Sequence, residues 1–438
     1  MAERKYDAVI VGARCAGAAL AAYLARSGAR VIVLEGGRLG TDQVLSTHTI
    51  HPAGMDLLDE LGVGAAVREG SPPARVIRFQ VDDAFADVEP PVGRDECCPR
   101  RYRLDRLLQE AAIAAGAEVW ESTRVTQLLR DGDRVVGARA ERAGGAIEIR
   151  GTVTVGADGR HSTVAKLAGA EEYLGYDNPR SMYWAYWEPP LAWKSSAYPY
   201  DFLLRFSGND RRVIFPTDNG QLLLATMPRV DVGRQWKSDL QSQYVDDLRS
   251  DPEFKPLAID GKMASKVIGT VSERYFFRRS AGSGWALVGD AGHHKDPIIG
   301  WGISEALSQA KQLSEAIRVG GDAALERYWR RRDVEALARF RLAEDRAAPE
   351  PITPVLPVVL RRAARTPGLA QQLFRETELD VNPYELLPVS KVAGWTLAAA
   401  FRGRPGLILD FIAQGRRAAA VQAEVRERRR LLEAVAGS

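Results

Sequence analysis

Apolar positions along this chain repeat with two periods, and the switches between them mark its elements. Ala8–Val11 is a short run of β-forming apolar residues, the signature of a buried strand. From Ala16 to Ser27 the chain is rich in Ala and Leu at helical spacing, and the pattern stops at Gly28, a helix C-terminal signal. Val31–Leu34 is a second strand-like run. Helical spacing returns over Met55–Leu61 and over Arg100–Ala115, ended by Gly62 and Gly116; the second helix carries Leu104, Leu107, Leu108, Ala111 and Ala112 on one face. Arg75–Val81 reads as a strand, followed by polar, proline-rich sequence to Pro99. Val119–Trp120, Val125–Leu129, Arg134–Ala140 and Ala146–Val155 read as strands, with a hairpin turn at Asp131-Gly132.

The pattern changes from Ser181 to about Arg229. Aromatics cluster at Tyr183, Trp184, Tyr186 and Trp187, and turns at Ser207–Asp210 and Thr217–Gly220 divide short runs, which predicts an antiparallel sheet. Val230–Ile259 is more helical, Lys266–Arg274 and Trp285–Val288 read as strands, and Ile303–Val319 as a helix. Beyond Leu325 the chain reads as helical and arginine-rich, with Pro349, Pro351, Pro354 and Pro357 marking a linker.

At 438 residues the chain exceeds one simple core, so two domains are expected. A net charge of +3 is too small to imply a nucleic-acid partner. Three cysteines, Cys15, Cys97 and Cys98, build no disulfide framework and suit a reducing cytoplasm. Cys97 and Cys98 are adjacent, so a mutual bridge would be strained and both read as packing residues. The N-terminus leads straight into a strand without a signal peptide, and no apolar run is long enough to span a membrane, so a cytoplasmic protein is expected. The charged stretch Glu424–Val435 reads as a solvated capping helix, although a basic amphipathic helix can also lie on a membrane or pack a partner.

Three stretches carry chemistry. The first is the strand–turn–helix–strand unit of Tyr6–Glu35, with Gly12, Arg14 and Gly17 at the G-x-G-x-x-G positions and Glu35 at the end of the second strand. This is the dinucleotide-binding arrangement: the helix N-terminus offers unpaired N–H groups to a pyrophosphate, and the acid takes the ribose hydroxyls. Arg14 stands where the middle glycine lets backbone approach phosphate; its guanidinium either contacts phosphate or swings to solvent. The second stretch is Gly156–Ala165, GADGRHSTVA. The third runs from Gly284 to Ala306: a strand ends in Gly289-Asp290, a loop runs to Pro297, and Gly300 and Gly302 open a helix. Asp290 suits a polyol hydroxyl, and the helix N-terminus suits a negatively charged ring system such as a reduced flavin. His48 and His51 lack partners at metal-ligand spacing and read as solvated or hydrogen-bonded; His293 and His294 read as a loop pair, exposed or bonded to backbone.

Taken in order, these motifs (Gly12, Gly17 and Glu35; Asp158 and Gly159; Gly289, Asp290 and Pro297), with PRRYRLDRLL around Arg101, resemble the p-hydroxybenzoate-hydroxylase-like (group A) FAD-dependent oxidoreductases over about residues 6–345. The resemblance implies an α/β fold: a Rossmann-like FAD-binding domain (1–73, 97–180 and 272–345), an inserted antiparallel β-sheet substrate domain (74–96 and 181–271), and a helical C-terminal region (346–438). It implies that Gly12 and Gly17 face the pyrophosphate, that Glu35 binds the adenosine ribose, that Arg101 contacts the middle of FAD and that the Val125 backbone meets adenine. Asp158 with Gly159 would serve both FAD and the nicotinamide cofactor, and Gly289-Asp290 the ribityl or pyrophosphate region. Pro297 would lie beside the isoalloxazine and Gly300, Gly302 and Ile303 near its N1/O2 edge; Pro297, Gly300 and Gly302 are the residues placed at the chemistry. Ser304 stands where many members carry Asn. Trp184 and Tyr186, on strand-like sequence, and Phe215 are the candidate substrate contacts.

The implied reaction is hydroxylation of an aromatic or polycyclic small molecule, in secondary or catabolic metabolism, with NADH or NADPH reducing FAD and O2 giving a flavin C4a-hydroperoxide. The protein's part is a dry pocket. The alternative is a reductase or dehydrogenase of the geranylgeranyl-reductase type. A halogenase is disfavoured: no lysine lies between Lys5 and Lys166, and Trp184–Trp187 does not fit the halogenase tryptophan block. A flavin-binding protein without chemistry and an enzyme fed by a separate flavin reductase are further readings, the second opposed by Asp158-Gly159. No metal is expected, and a homodimer is left open.

Overall fold

The structure, a computed structural model, describes residues 5–41, 45–191, 193 and 198–436. Its organising layer is a parallel sheet. Trp285–Leu287, Gly145–Gly156, Lys5–Val11, Val31–Leu34 and Glu118–Trp120 lie side by side in that order, all parallel. The long strand Gly145–Gly156 pairs with Lys5–Val11 through its second half. Through its first half it closes an antiparallel extension with Arg134–Arg142 and Arg124–Asp131. The two inner runs, Ala8–Val11 and Val31–Leu34, are buried throughout, as strands covered on both faces must be.

The helix Cys15–Arg26 fits this sheet because it is made of small residues. Ten of its twelve residues are buried, and it packs against the helices Arg101–Ala114 and Gly302–Val319. At Gly17 an added Cβ would stand 1.9 Å from the Gly12 carbonyl oxygen, so the turn and the helix can only meet this closely without a side chain.

A second sheet runs in the order Lys262–Met263, Met182–Glu188, Leu222–Thr226, Asp210–Pro216, Phe202–Ser207, Ile77–Val81, Ala84–Val88, with Ile268–Thr270 also against Met182–Glu188. It is antiparallel as expected except that Phe202–Ser207 runs parallel to Ile77–Val81. Strand parity sorts the aromatics. Trp184 and Tyr186 face one core with Phe215 and Trp301, whereas Tyr183 and Trp187 face another with Trp236 and Tyr244. A small third sheet joins Glu172–Asp177, Arg274–Arg278 and His293–His294.

Several expected bounds shift. The helix begins at Pro52 rather than Met55, where proline's fixed φ suits a first helical position. Val230–Ile259 breaks into Val230–Gln235, Leu240–Ser250 and Lys255–Asp260. Lys266–Arg274 holds the short strand Ile268–Thr270 and the first residue of the next strand, Arg274–Arg278. Pro357 is no linker residue: it sits in the first turn of the helix Val355–Ala363, where backbone N–H groups have no intrahelical partner to lose. That helix and Pro367–Phe374 pack on the second sheet beside Ala84–Val88, and Val389–Ala400 and Leu407–Ala436 lie beyond them.

Candidate active site

The strands of the parallel sheet end along one edge, and the residues that follow them line a cleft of about 620 Å³. Gly12 and Arg14 follow the first strand, Glu35 the second, Asp158 and Gly159 the long strand, and Asp290 the strand Trp285–Leu287. Arg101, Val125, Pro297, Gly300, Gly302 and Ile303 complete the lining. Ligands of open α/β sheets bind at this carboxyl edge.

Two helices open into the cleft without side-chain caps. Cys15–Arg26 starts after Arg14, and the eighteen-residue Gly302–Val319 starts after Trp301. Each offers unpaired N–H groups and a partial positive charge. Open space surrounds the Cβ position of Gly302. The carboxylate of Glu35 is fixed by the backbone on either side of it. Its Oε2 accepts from Ala13 N–H at 2.8 Å and its Oε1 from Gly37 N–H at 2.9 Å. Asp158 accepts from the Ser162 hydroxyl at 2.5 Å and from the backbone N–H groups of Thr163 and Val164 at 2.7 and 3.2 Å. Burial outweighs those bonds and pushes its carboxyl above the usual range. Arg101 donates to Asp105 (3.0 Å). At Asp290 burial is outweighed by His294, whose Nδ1 lies 3.2 Å from Oδ2, and by Lys295 and Arg101, so its carboxyl is held below the usual range.

Gly17 and Gly289 differ from the other expected contacts: neither lines the cleft. Gly17 serves the helix–turn approach described above. Gly289, at φ +61°, lets its loop pass Ala16, whose Cβ would lie 3.0 Å from an added Cβ, and its N–H donates to Gln309. Ser304 is buried; its hydroxyl accepts from the His51 N–H at 3.2 Å and lies 2.4 Å from where a Gly54 Cβ would stand. A side chain at position 54 would therefore run into Ser304.

A second, apolar cavity of about 150 Å³ shares Thr47, Thr49, Pro297 and Gly300 with the cleft. Phe202 and Phe215, stacked at 5.4 Å, form part of its wall. Of the three expected substrate contacts only Phe215 lines it. Trp184 is packed in the core, and Tyr186 is engaged by His48. The opposite wall, Leu356, Leu360, Leu373 and Phe374, comes from the C-terminal helices, which sequence patterning did not connect to the site.

Neither His48 nor His51 is solvated. The Nδ1–H of His48 donates to the Cys98 carbonyl (3.0 Å), so its Nε2 accepts from the Tyr186 hydroxyl (3.0 Å). His51 donates through Nε2–H to the Ile299 carbonyl at 2.8 Å and meets Glu96 Oε2 through Nδ1 at 3.2 Å. Burial opposes its charge, but Glu96 outweighs burial and the imidazole pKa is raised. The pair pins the backbone of Ile299 beside Gly300.

The expectation of an exposed or backbone-bonded His293–His294 pair is corrected. As a two-residue strand against Phe276–Phe277, it sends alternate side chains to opposite sides. His293 is buried on Phe277 with ring centroids 4.2 Å apart, and burial pushes its pKa far down; His294 turns to Asp290. Sequence reasoning also missed Lys295 and Glu305. Lys295 lines the cleft yet is buried, its ammonium against the Glu305 carboxylate, which also accepts from Arg339 Nε at 2.7 Å.

Asp296 caps the turn that carries Pro297: its Oδ1 accepts from Ile298 N–H at 2.9 Å, while Oδ2 is buried without a hydrogen-bond partner. Burial raises this carboxyl to about 7. A raised acid costs stability as pH climbs from its unfolded value of 3.8 to about 7, and the cost is level above that. Asp296→Asn keeps the cap and removes the ionisation. The variant is expected to gain thermal stability on the wild type as pH rises to neutrality, with the difference constant beyond; melting curves that track each other across that range would refute this.

Residues 5–341 match a family model described as FAD binding domain. The chain belongs to this family. It is thus a FAD-dependent oxidoreductase of the p-hydroxybenzoate-hydroxylase-like group whose motifs it carries. A digeranylgeranylglycerophospholipid reductase of Methanocella arvoryzae is 26% identical over 335 residues, 74% of this chain and 82% of that protein. A 6-methylpretetramide 4-monooxygenase of Streptomyces rimosus is 31% identical over 170 residues, 37% of this chain and 40% of that one. The flavin-dependent brominase Bmp2 shares the fold, with a TM-score of 0.73 at 18% identity over 92% of this chain and 100% of its own.

Proposed function

We propose that the chain is a FAD-dependent, NAD(P)H-consuming monooxygenase that hydroxylates an aromatic small molecule. The observation that carries this reading is the apolar cavity opening on the cleft at Pro297 and Gly300. Its volume of about 150 Å³ is that of a cavity able to take one benzene ring, and it leaves little room for a long isoprenoid chain. The stacked pair Phe202 and Phe215 supplies aromatic surface to its lining.

In this reading Glu35 binds the adenosine ribose, and the N-terminus after Arg14 takes the pyrophosphate, with the guanidinium of Arg14 and Arg101 beside it. The division into FAD-binding, sheet and helical regions is part of the same proposal. Bound FAD supplies hydride acceptance from NADH or NADPH and the activation of O2. The N-terminus at Gly302 and Ile303 stabilises negative charge on the ring edge. The apolar cavity excludes water from the substrate.

The second reading is a reductase, favoured by the reductase match over 74% of the chain. One experiment separates them. The purified protein is expected to carry a flavin absorbance band that bleaches anaerobically with NADH or NADPH and returns rapidly on admitting O2. With an accepted aromatic, the product gains one oxygen atom. Slow reoxidation and a product that gains two hydrogens would replace this reading by the reductase one. A protein without flavin, and unable to take up FAD, would sink both.

A further inference from the structure

The C-terminal helices end in a surface that the reaction does not use. The helix Val389–Ala400 turns at Phe401–Gly406 into Leu407–Ala436. Phe401 at this tip is 88% exposed and Leu409 73%, and Leu397, Ile408 and Ile412 are exposed around them. On the first helix Val389, Leu397 and Phe401 are spaced by eight and four residues, one stripe; on the second, Ile408, Leu409 and Ile412 share a face. Isolated exposed apolar residues are ordinary, but five clustered at one turn are not.

The rim of this patch is basic. Between Val389 and Arg417 the chain carries Lys391, Arg402, Arg404, Arg416 and Arg417 against Asp410 alone. Arg417 is tied to Glu344 and Asp345, whereas Lys391, Arg402, Arg404 and Arg416 are exposed. No helix among the described residues is long and apolar enough to cross a membrane. An apolar tip with a cationic rim instead matches an anionic bilayer surface: side chains enter the acyl boundary while arginines meet phosphates. A second copy of the chain fits less well, because a two-fold contact would set this basic rim against itself.

We propose that the tip Leu397–Ile412 docks the protein on anionic lipid surfaces. The tip packs through Val389–Ala400 on the helix Val355–Ala363, whose Leu356 and Leu360 line the apolar cavity. Docking therefore sets the cavity's outer wall over the lipid, whichever reaction the flavin performs.

The test is co-sedimentation of the holoprotein with mixed phosphatidylcholine–phosphatidylglycerol vesicles and with phosphatidylcholine alone. The wild type is expected to bind the mixed vesicles preferentially and to be released by salt. Arg402→Gln/Arg404→Gln is expected to weaken binding roughly thirtyfold. Phe401→Ser/Leu409→Ser is expected to lose at least about tenfold. All four side chains are exposed, so flavin content and melting temperature stay at wild-type values. Equal binding to both vesicle types, or binding that both variants retain, overturns the proposal. So does a dimer in sedimentation velocity that Phe401→Ser/Leu409→Ser dissociates, since the patch then belongs to a second copy.

Discussion

Glu305→Gln is expected to destabilise the protein by about 3–5 kcal/mol, the cost of removing one partner from a buried ion cluster. Glu305 sits in the first turn of Gly302–Val319 and faces Lys295 and Arg339, all three with side chains 4% exposed. The glutamine amide still accepts from Arg339, but the Lys295 ammonium loses its counter-charge. Burial and the neighbouring Arg339 and Arg332 already pull the amine well below its ordinary range in the wild type, and losing the carboxylate disfavours the ammonium further. A depressed lysine stabilises less as pH falls, so the deficit relative to wild type is largest at acid pH and shrinks as pH rises toward the ordinary lysine range. Adding Lys295→Met to the variant removes the stranded cation and is expected to recover most of the loss. Denaturant unfolding of the three proteins across pH measures this. A Glu305→Gln protein with the wild-type midpoint would show that the cluster is open to water and worth little.

This cluster also marks where the sequence stopped being legible. Lys295 lay inside the Gly284–Ala306 stretch read as chemically important, and an acid in the first turn of a helix is ordinary. Nothing local announced that Arg339, on the following helix, would reach back to Glu305. The same holds for His51 and Glu96, forty-five positions apart, and for Leu356, Leu360 and Phe374, whose helical pattern says which face is apolar but not what it covers. The N-terminal unit was legible because its information is local: an apolar run, a turn that only glycine can make, a helix of small residues and an acid at a strand end. Strand parity likewise separated Trp184 and Tyr186 from Tyr183 and Trp187. Which face met the cavity depended on where Phe202 and the C-terminal helices packed, and of the three expected contacts Phe215 alone lines it.

The largest effect on the cofactor is expected at Gly17. Its added Cβ would lie 1.9 Å from the Gly12 carbonyl oxygen, 3.0 Å from the Gly12 carbonyl carbon and 3.1 Å from the Ala157 Cβ. The first two are backbone, so no rotamer change relieves them. Gly12 cannot yield either: at φ +103° it already runs so close to the long strand that its own Cβ position is 2.5 Å from the Ala157 carbonyl oxygen. In Gly17→Ala the helix Cys15–Arg26 must therefore back away from the turn, carrying its N-terminal N–H groups off the cleft. It cannot back far, because its buried face packs against Arg101–Ala114 and Gly302–Val319. Overpacking of this kind costs about 1–3 kcal/mol, and the upper figure, taken wholly from cofactor affinity, weakens FAD binding by roughly a hundredfold. The variant is expected to purify without its flavin band and to rebind FAD weakly in a fluorescence-quenching titration. Gly289→Ala, with only the Ala16 Cβ at 3.0 Å but a φ of +61°, is expected to lose less. If Gly17→Ala keeps a full complement of tightly held FAD, the pyrophosphate is not bound at this helix N-terminus, and Arg14 and Arg101 would have to hold it through their side chains alone.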